Sequence, residues 1–222
     1  MDFLLNVSSL LDRIARSIGK WIGWIMLPLI MVIMFDVLTR KLDVTRLYFS
    51  EFTAEYGFSV STILQDLEWH FHGALLMLTF GFGYLANAHV RVDVFRELLK
   101  QDNQAKLELA GLIICAIPFL IIMISFSLDM VGLAWRQGEG SESMTGIHYR
   151  WFIKSALVIG FSLALMAVIA TLFRLVAYIF GSEEAKAKAK DALEIFAEES
   201  RELEAARLAA ESALKAQAQK GQ

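Results

Sequence analysis

The chain has 222 residues, 56% of which are hydrophobic, and its mean hydropathy is +0.50. Soluble domains need a polar exterior and rarely reach such a hydropathy, so the composition argues against a water-soluble fold. The formal net charge of -3 gives no reason to expect a nucleic-acid-binding protein.

The N-terminal part of the chain is predicted to form an amphipathic helix followed by a membrane span. In residues 3–18, apolar side chains recur at helical spacing and charged side chains lie elsewhere on the helical wheel. This pattern is typical of a helix in the membrane interface, so residues 1–20 are assigned to an N-terminal amphipathic interfacial helix. The first span is predicted at about residues 21–38. It contains Pro28, which membrane helices tolerate when neighbouring groups satisfy the freed carbonyl.

A second amphipathic stripe and a second span follow. Residues 49–67 are too polar to span a membrane and are predicted to lie on the bilayer or against a partner. They lead into the second span, at about residues 68–88. Its apolar run from Gly73 to Ala86 carries no charge, and charged and aromatic side chains lie at both ends of that run. This is the pattern of a membrane-crossing helix that is anchored at both interfaces.

Two further spans are predicted at about residues 109–128, which include Pro118, and at about residues 155–173. Both are long enough to cross roughly 30 Å of hydrocarbon. Residues 129–150, which connect them, contain a run of Gly, Ser and Glu and are predicted to form a loop.

The composition changes near residue 182 to Ala, Glu, Lys, Arg and Leu, which predicts a solvated helix that extends from the last span. The predicted fold is an all-α integral membrane protein with four transmembrane helices, amphipathic interfacial helices and a C-terminal cytoplasmic helix. Its membrane domain covers residues 21–180 and its charged helical tail covers residues 181–222. Lys and Arg are more numerous in the segments that share a side with the termini, which favours cytoplasmic termini.

Four histidines raise the hypothesis of a haem or metal site. His70 and His72 are two residues apart, so on a helix they point in different directions, while His89 lies at the other end of the same span and His148 lies in a loop. A bis-histidine haem needs ligands at matching depth on facing helices. We therefore predict no catalytic, cofactor-binding or metal site in this chain, and the membrane anchor of a haem or quinone redox complex is the alternative hypothesis.

The spans also carry few groups that could form a transport pathway. Ionisable side chains at mid-membrane mark ion and proton routes. The ionisable residues of the predicted spans instead fall near the span ends; they are Asp36, Glu68, Asp129, Lys154 and Arg174. This pattern favours a scaffold or accessory subunit over a transporter that works alone.

Three clusters of charged and aromatic residues lie beside the spans: Glu68-Trp69-His70, His89-Val90-Arg91-Val92-Asp93, and residues 135–141 with residues 149–154, which bracket the outer loop. An aromatic belt at the membrane interface explains the aromatic side chains. It does not explain why charged side chains lie so close to apolar runs, so we predict contacts across helices or with a partner subunit. The subunit-interface candidates are Glu68, Trp69, His70, His89, Arg91 and Asp93.

With these clusters, the chain resembles the small permease subunit of tripartite ATP-independent periplasmic (TRAP) transporters, the DctQ family. The resemblance covers roughly residues 10–180. It is carried by LEWH at residues 67–70, HVRVD at residues 89–93 and RWFIK at residues 150–154, in that order. It does not extend to the charged tail.

The resemblance implies a multi-pass protein of the bacterial inner membrane that pairs with a large, DctM-like permease subunit. That subunit would hold the substrate and sodium sites, so no cofactor is expected in this chain. A periplasmic DctP-like binding protein would deliver the substrate, usually an organic-acid anion, and the remaining contacts would be with membrane lipid. The small subunit would brace the large one and help to form the docking surface. The periplasmic docking-loop candidates are Glu139, Ser141, Arg150 and Lys154.

Overall fold

The computed structural model describes residues 1–88, 99–143 and 145–193. All regular secondary structure in these ranges is helical, which confirms the all-α prediction. The α-helices are α1 (Asp2–Ile22), α2 (Met26–Lys41), α3 (Asp43–Tyr56), α4 (Val60–Leu85), α5 (Gln101–Gly111), α6 (Ile117–Gln137), α7 (Trp151–Phe180) and α8 (Glu183–Ala192).

Three continuous helical stretches of the described residues are long and apolar enough to cross a membrane: Asp2–Lys41, Gln101–Gln137 and Trp151–Phe180. The predicted second span lies in α4, which is not one of these three. With 26 residues, α4 is about 39 Å long, but its first half carries Glu68 and two histidines. The count of four spans therefore stays a prediction.

The N-terminal helix and the first span form one nearly continuous rod. A 3-10 turn at Gly23–Ile25 joins α1 to α2, and Pro28 follows in the first turn of α2. Proline has no N–H to donate to the carbonyl four residues earlier, which accounts for the interrupted α-helical pattern here. α1 packs against α4 and α7, and the buried Ser8 Oγ donates a hydrogen bond to the Ala170 carbonyl at 2.9 Å.

The predicted amphipathic stripe at residues 49–67 is divided between two helices. α3 ends because Gly57 adopts a left-handed conformation with φ 74°. Such a conformation is costly for residues with a Cβ. α4 begins at Val60, where the Ser59 hydroxyl caps it by accepting a hydrogen bond from the Thr62 N–H at 3.3 Å. The apolar residues keep helical spacing across the break, which explains why the sequence pattern did not reveal it.

The third span is longer than predicted, and the loop after it is shorter. α5 continues through a π-helical segment, Leu112–Ala116, into α6, whose second residue is Pro118. α6 runs to Gln137 and ends at Gly138, which is left-handed with φ 60°. The predicted loop at residues 129–150 is thus wrong over residues 129–137, because the helix ends only where Gly138 permits the reversal of the chain.

α7 is the central helix of the bundle and contacts α1, α4, α5, α6 and α8. Small residues bring α4 and α7 close together. A Cβ added at Gly81 would lie 2.6 Å from the Leu163 carbonyl oxygen, and one added at Gly160 would collide with the Met77 backbone. Such close backbone approach is typical of helix pairs in membranes, where packing rather than water exclusion drives association.

α8 does not extend α7 as the sequence predicted. Gly181 has an extended backbone (φ -84°, ψ 170°), and α8 then packs against α7. Ala185, Ala189 and Leu193 are buried in that contact. The bundle therefore has two ends. The loop end holds residues 138–150 and the first turns of α4 and α7. The tail end holds the last turns of α4 and α7, the start of α5, and α8.

Candidate functional site

The described subunit-interface candidates lie on α4 near the loop end. The Trp69 side chain is 76% exposed. The His70 ring donates a hydrogen bond from Nδ1 to the Asp66 carbonyl, one helical turn earlier. Glu68 is half-buried and makes no hydrogen bond or ion pair with the described part of the chain. These side chains are therefore accessible to a partner. The other three candidates, His89, Arg91 and Asp93, lie outside the described residues.

The structure brings the four docking-loop candidates together. Glu139 forms ion pairs with Lys154 and, at 3.8 Å, with Arg150. The backbone N–H of Arg150 donates to the Glu139 carbonyl at 2.9 Å, and the N–H of Ser141 donates to the Ile147 carbonyl at 3.0 Å. We call Glu139, Ser141, Arg150 and Lys154 the loop cluster. These contacts hold together the two ends of the connection that runs from the end of α6 to the start of α7.

The loop is also held by hydrogen bonds to Asp66 on α4 and to Ser59, the residue before α4. Asp66 Oδ2 accepts a hydrogen bond from the Ile147 N–H at 2.8 Å, and the Ser59 N–H donates to the Thr145 carbonyl at 3.2 Å. A Cβ added at Gly146 would collide with the side chains of Asp66 and Ser141. The sequence did not indicate this contact, because Asp66 was only one of the polar residues in the predicted amphipathic stripe at residues 49–67.

Aromatic side chains surround the loop cluster. Trp135 and Trp151 join α6 to α7 through an edge-to-face contact with ring centroids 4.6 Å apart. Tyr149 and Phe152 are 70% and 69% exposed, respectively. The loop end therefore presents a fixed surface with exposed aromatic rings, which are frequent anchors in protein interfaces.

A second polar contact at the loop end joins α2 to α4. The buried Asp36 accepts hydrogen bonds from Arg40, at 3.0 Å from Nε and 2.8 Å from Nη2. With its amide oxygen turned toward α2, Gln65 accepts from the same guanidinium at 2.6 Å. The sequence placed Asp36 correctly near a span end but did not identify its partners.

The tail end holds a network that sequence reasoning missed. Asp12 pairs with Arg16 at 3.0 Å and with Arg174 at 3.2 Å. Each arginine also caps a helix: Arg16 donates to the Leu85 carbonyl at the end of α4, and Arg174 donates to the Ala192 carbonyl at the end of α8, both at 2.9 Å. We call Asp12, Arg16 and Arg174 the tail-end network. It connects α1, α4, α7 and α8.

The two groups of ion pairs are separated along α7 by an uncharged stretch. Lys154 and Arg174 are 20 residues apart on this helix, which corresponds to about 30 Å, close to the hydrocarbon thickness of a bilayer. No group of three or more His, Cys, Asp or Glu side chains that could hold a metal ion occurs within residues 1–88, 99–143 and 145–193.

In a comparison with protein families, residues 29–177 match the family model described as "Tripartite ATP-independent periplasmic transporters, DctQ component". The match covers about two thirds of the chain. Neither the curated proteins nor the solved structures contain a match.

Proposed function

Because this chain belongs to the DctQ family, the small membrane subunits of TRAP transporters, we propose that it braces the large permease subunit and helps to dock a periplasmic binding protein. The large subunit would take up an organic-acid anion together with sodium. The complex would lie in the bacterial inner membrane, with both termini of this chain in the cytoplasm.

The observation that carries the proposal is the distribution of charge along the bundle. The loop cluster and the tail-end network tie helices together at the two ends, and about 30 Å of α7 between them is uncharged. Transport pathways need ionisable or polar groups at mid-membrane. A bundle that is fixed at both ends and apolar between them suits a stationary brace, with the substrate and sodium sites in the large subunit.

The proposed contact with the large subunit lies on α2 and α4. On α2, Ile30, Met31 and Met34 are 47%, 71% and 55% exposed. On α4, Trp69 is exposed beside Glu68, which lacks a partner among the described residues. A carboxylate at the edge of an apolar surface is costly to leave unpaired, so a cationic or hydrogen-bonding group of the large subunit would stabilise it.

The proposed docking surface is the loop end, which we assign to the periplasm. Glu142 lies beside the loop cluster and its side chain is 94% exposed, while Arg150 stays one third exposed. Together with Tyr149, these groups offer both charge and an aromatic anchor on a loop that is fixed in shape. A fixed loop loses little conformational entropy when a partner binds.

Co-purification tests the brace. The chain and its large subunit are co-expressed, and the yield of large subunit recovered with the chain is measured. We expect Glu68→Ala and Trp69→Ala to reduce that yield severalfold. Trp21→Ala, which removes an indole that is 74% exposed on α1, is the matched control and should not change it. Unchanged recovery in both α4 variants would overturn the assignment of this surface.

Binding of the periplasmic protein to the purified complex tests the docking surface. Glu142→Lys and Glu184→Lys make the same charge reversal on exposed residues at opposite ends of the bundle. We expect the first to change the dissociation constant and the second to leave it unchanged. Equal effects of the two variants, or an effect of Glu184→Lys alone, would contradict the assignment of the loop end.

A further inference from the structure

A cavity of about 630 Å³ lies at the tail end, between the start of α5 and the first two turns of α8. Three lysines line it: Lys100 precedes α5, and Lys186 and Lys190 are one turn apart on α8. Asp102 and Glu183 also contribute to the lining. The cavity therefore collects more positive than negative charge, in a chain whose overall charge is negative.

Two lysines of the cavity, Lys100 and Lys190, form no ion pair with the acidic residues that line it. Asp102 accepts a hydrogen bond from the Tyr178 hydroxyl at 3.0 Å and lies 3.8 Å from the Lys186 ammonium, so its charge is paired with Lys186 and not with Lys100 or Lys190. Lys190 donates to the neutral Gln101 side chain at 3.2 Å. Neither Lys190 nor Lys100 pairs with a carboxylate in the described ranges. Their two charges can therefore be directed at a ligand.

The depth of the cavity along α7 matches the headgroup layer of a membrane. The uncharged stretch of α7 ends at Arg174, and Tyr178 lies one turn beyond it, about 6 Å further along the axis. Polar headgroups add several ångströms to each side of the hydrocarbon.

We propose that this cavity binds the phosphate-bearing headgroup of an anionic phospholipid, with Lys100 and Lys190 contacting the phosphate. Lysine is a common phosphate ligand, and basic pockets beside membrane helices recognise anionic headgroups. The inference rests on the membrane placement of α7 and not on the identity of the transported substrate. The bound lipid joins α5 to α8 and so anchors the start of the charged tail at the membrane surface.

Native mass spectrometry of the full, delipidated chain tests the proposal, with phosphatidylglycerol, phosphatidylcholine or inorganic phosphate added as the probe. We expect one phosphatidylglycerol to bind in preference to phosphatidylcholine. The double variant Lys100→Gln/Lys190→Gln should weaken that binding about tenfold or more, because it removes two positive charges that attract the anionic headgroup. Lys100→Arg/Lys190→Arg keeps both positive charges and should bind phosphatidylglycerol like the unmodified chain. This result would show that the glutamine variant loses binding through lost charge and not through misfolding.

Lys106→Gln/Lys188→Gln is the matched control, because it removes one lysine from α5 and one from α8, neither of which lines the cavity. It should bind phosphatidylglycerol like the unmodified chain. Equal loss in the two double variants would overturn the proposal. Equal binding of phosphatidylcholine would also overturn it, and displacement of the lipid by inorganic phosphate at comparable concentration would assign the cavity to a free phosphate instead.

Discussion

The loop end and the tail end of this bundle are both held by ion pairs, but they are assembled in different ways. The loop cluster uses side chains from residues 139–154, which are close together in the sequence, and a single contact from α4 completes it. The tail-end network joins Asp12 near the start of the chain to Arg174 on α7. Local chain geometry therefore builds most of the first site, while only the tertiary fold builds the second.

The two ends also differ in their exposure to solvent. The side chains of Arg174 and Asp12 are 10% and 17% exposed, whereas those of Lys154 and Glu139 are 22% and 29% exposed. Removing one member of a buried ion pair leaves a charge that is neither hydrated nor paired, so its cost is larger than at a surface pair. The comparison thus predicts a larger loss of stability at the tail end than at the loop end.

The largest effect is expected from Asp12→Ala, which leaves both Arg16 and the buried Arg174 without their carboxylate. We expect the free energy of unfolding to fall by about 3 kcal/mol. Circular dichroism during a denaturant titration of the detergent-solubilised chain measures it. Asp2→Ala, which removes an exposed carboxylate from the same helix, is the control and should have little effect. A loss no greater than that of the control would contradict the prediction that the tail-end ion pairs contribute more to stability than those of the loop end.

A smaller and more local effect is expected from Asp66→Ala, which removes the acceptor for the Ile147 N–H. A hydrogen bond to a charged group contributes about 1.5–3 kcal/mol, and part of this should appear as opening of the loop alone. Hydrogen exchange should accelerate in residues 145–149 and not in α7. Glu68→Ala, two residues further along α4, should leave exchange in the loop unchanged. Global acceleration would mean that the loop is not a separate unit.

The smallest effect is expected from Glu139→Gln, because its partners are partly hydrated. We expect a loss on the order of 1 kcal/mol or less, which high salt should reduce further by screening the ion pairs. The same denaturant titration at low and high salt measures it. Glu142→Gln, at a side chain that is 94% exposed, should cause no measurable change. A loss as large as that of Asp12→Ala would show that the solvent exposure of the ion pairs does not determine which end loses more stability.

Much of the architecture could be predicted from the sequence, because length and apolar periodicity indicate membrane helices directly. The positions of Gly57 and Gly138 end α3 and α6, and attention to them would have corrected two predicted boundaries. The second amphipathic stripe did not reveal the break at residues 57–59, because the apolar residues keep helical spacing across it. In the loop cluster, Glu139 and Lys154 were named because the resemblance to the DctQ family implies a docking surface at this loop.

The tail-end network could not be predicted in the same way. Asp12 was assigned to the polar face of an interfacial helix and Arg174 to the end of a span, and each assignment is sufficient by itself to explain the residue. Their pairing depends on how α1 crosses α7, which small residues such as Ser8 and Ala170 determine through close packing. Such long-range packing leaves no periodic signal in a single sequence. The return of α8 onto α7 was missed for the same reason.

Reconstitution into proteoliposomes tests most directly whether this chain is a brace rather than a transporter. Uptake of a labelled organic-acid anion is measured under a sodium gradient, with the binding protein present, in vesicles that contain this chain alone, the large subunit alone, or both. We expect uptake only when both subunits are present, and Asp12→Ala should reduce it together with the stability of the bundle. Sodium-driven uptake by vesicles that contain this chain alone would contradict the proposed role.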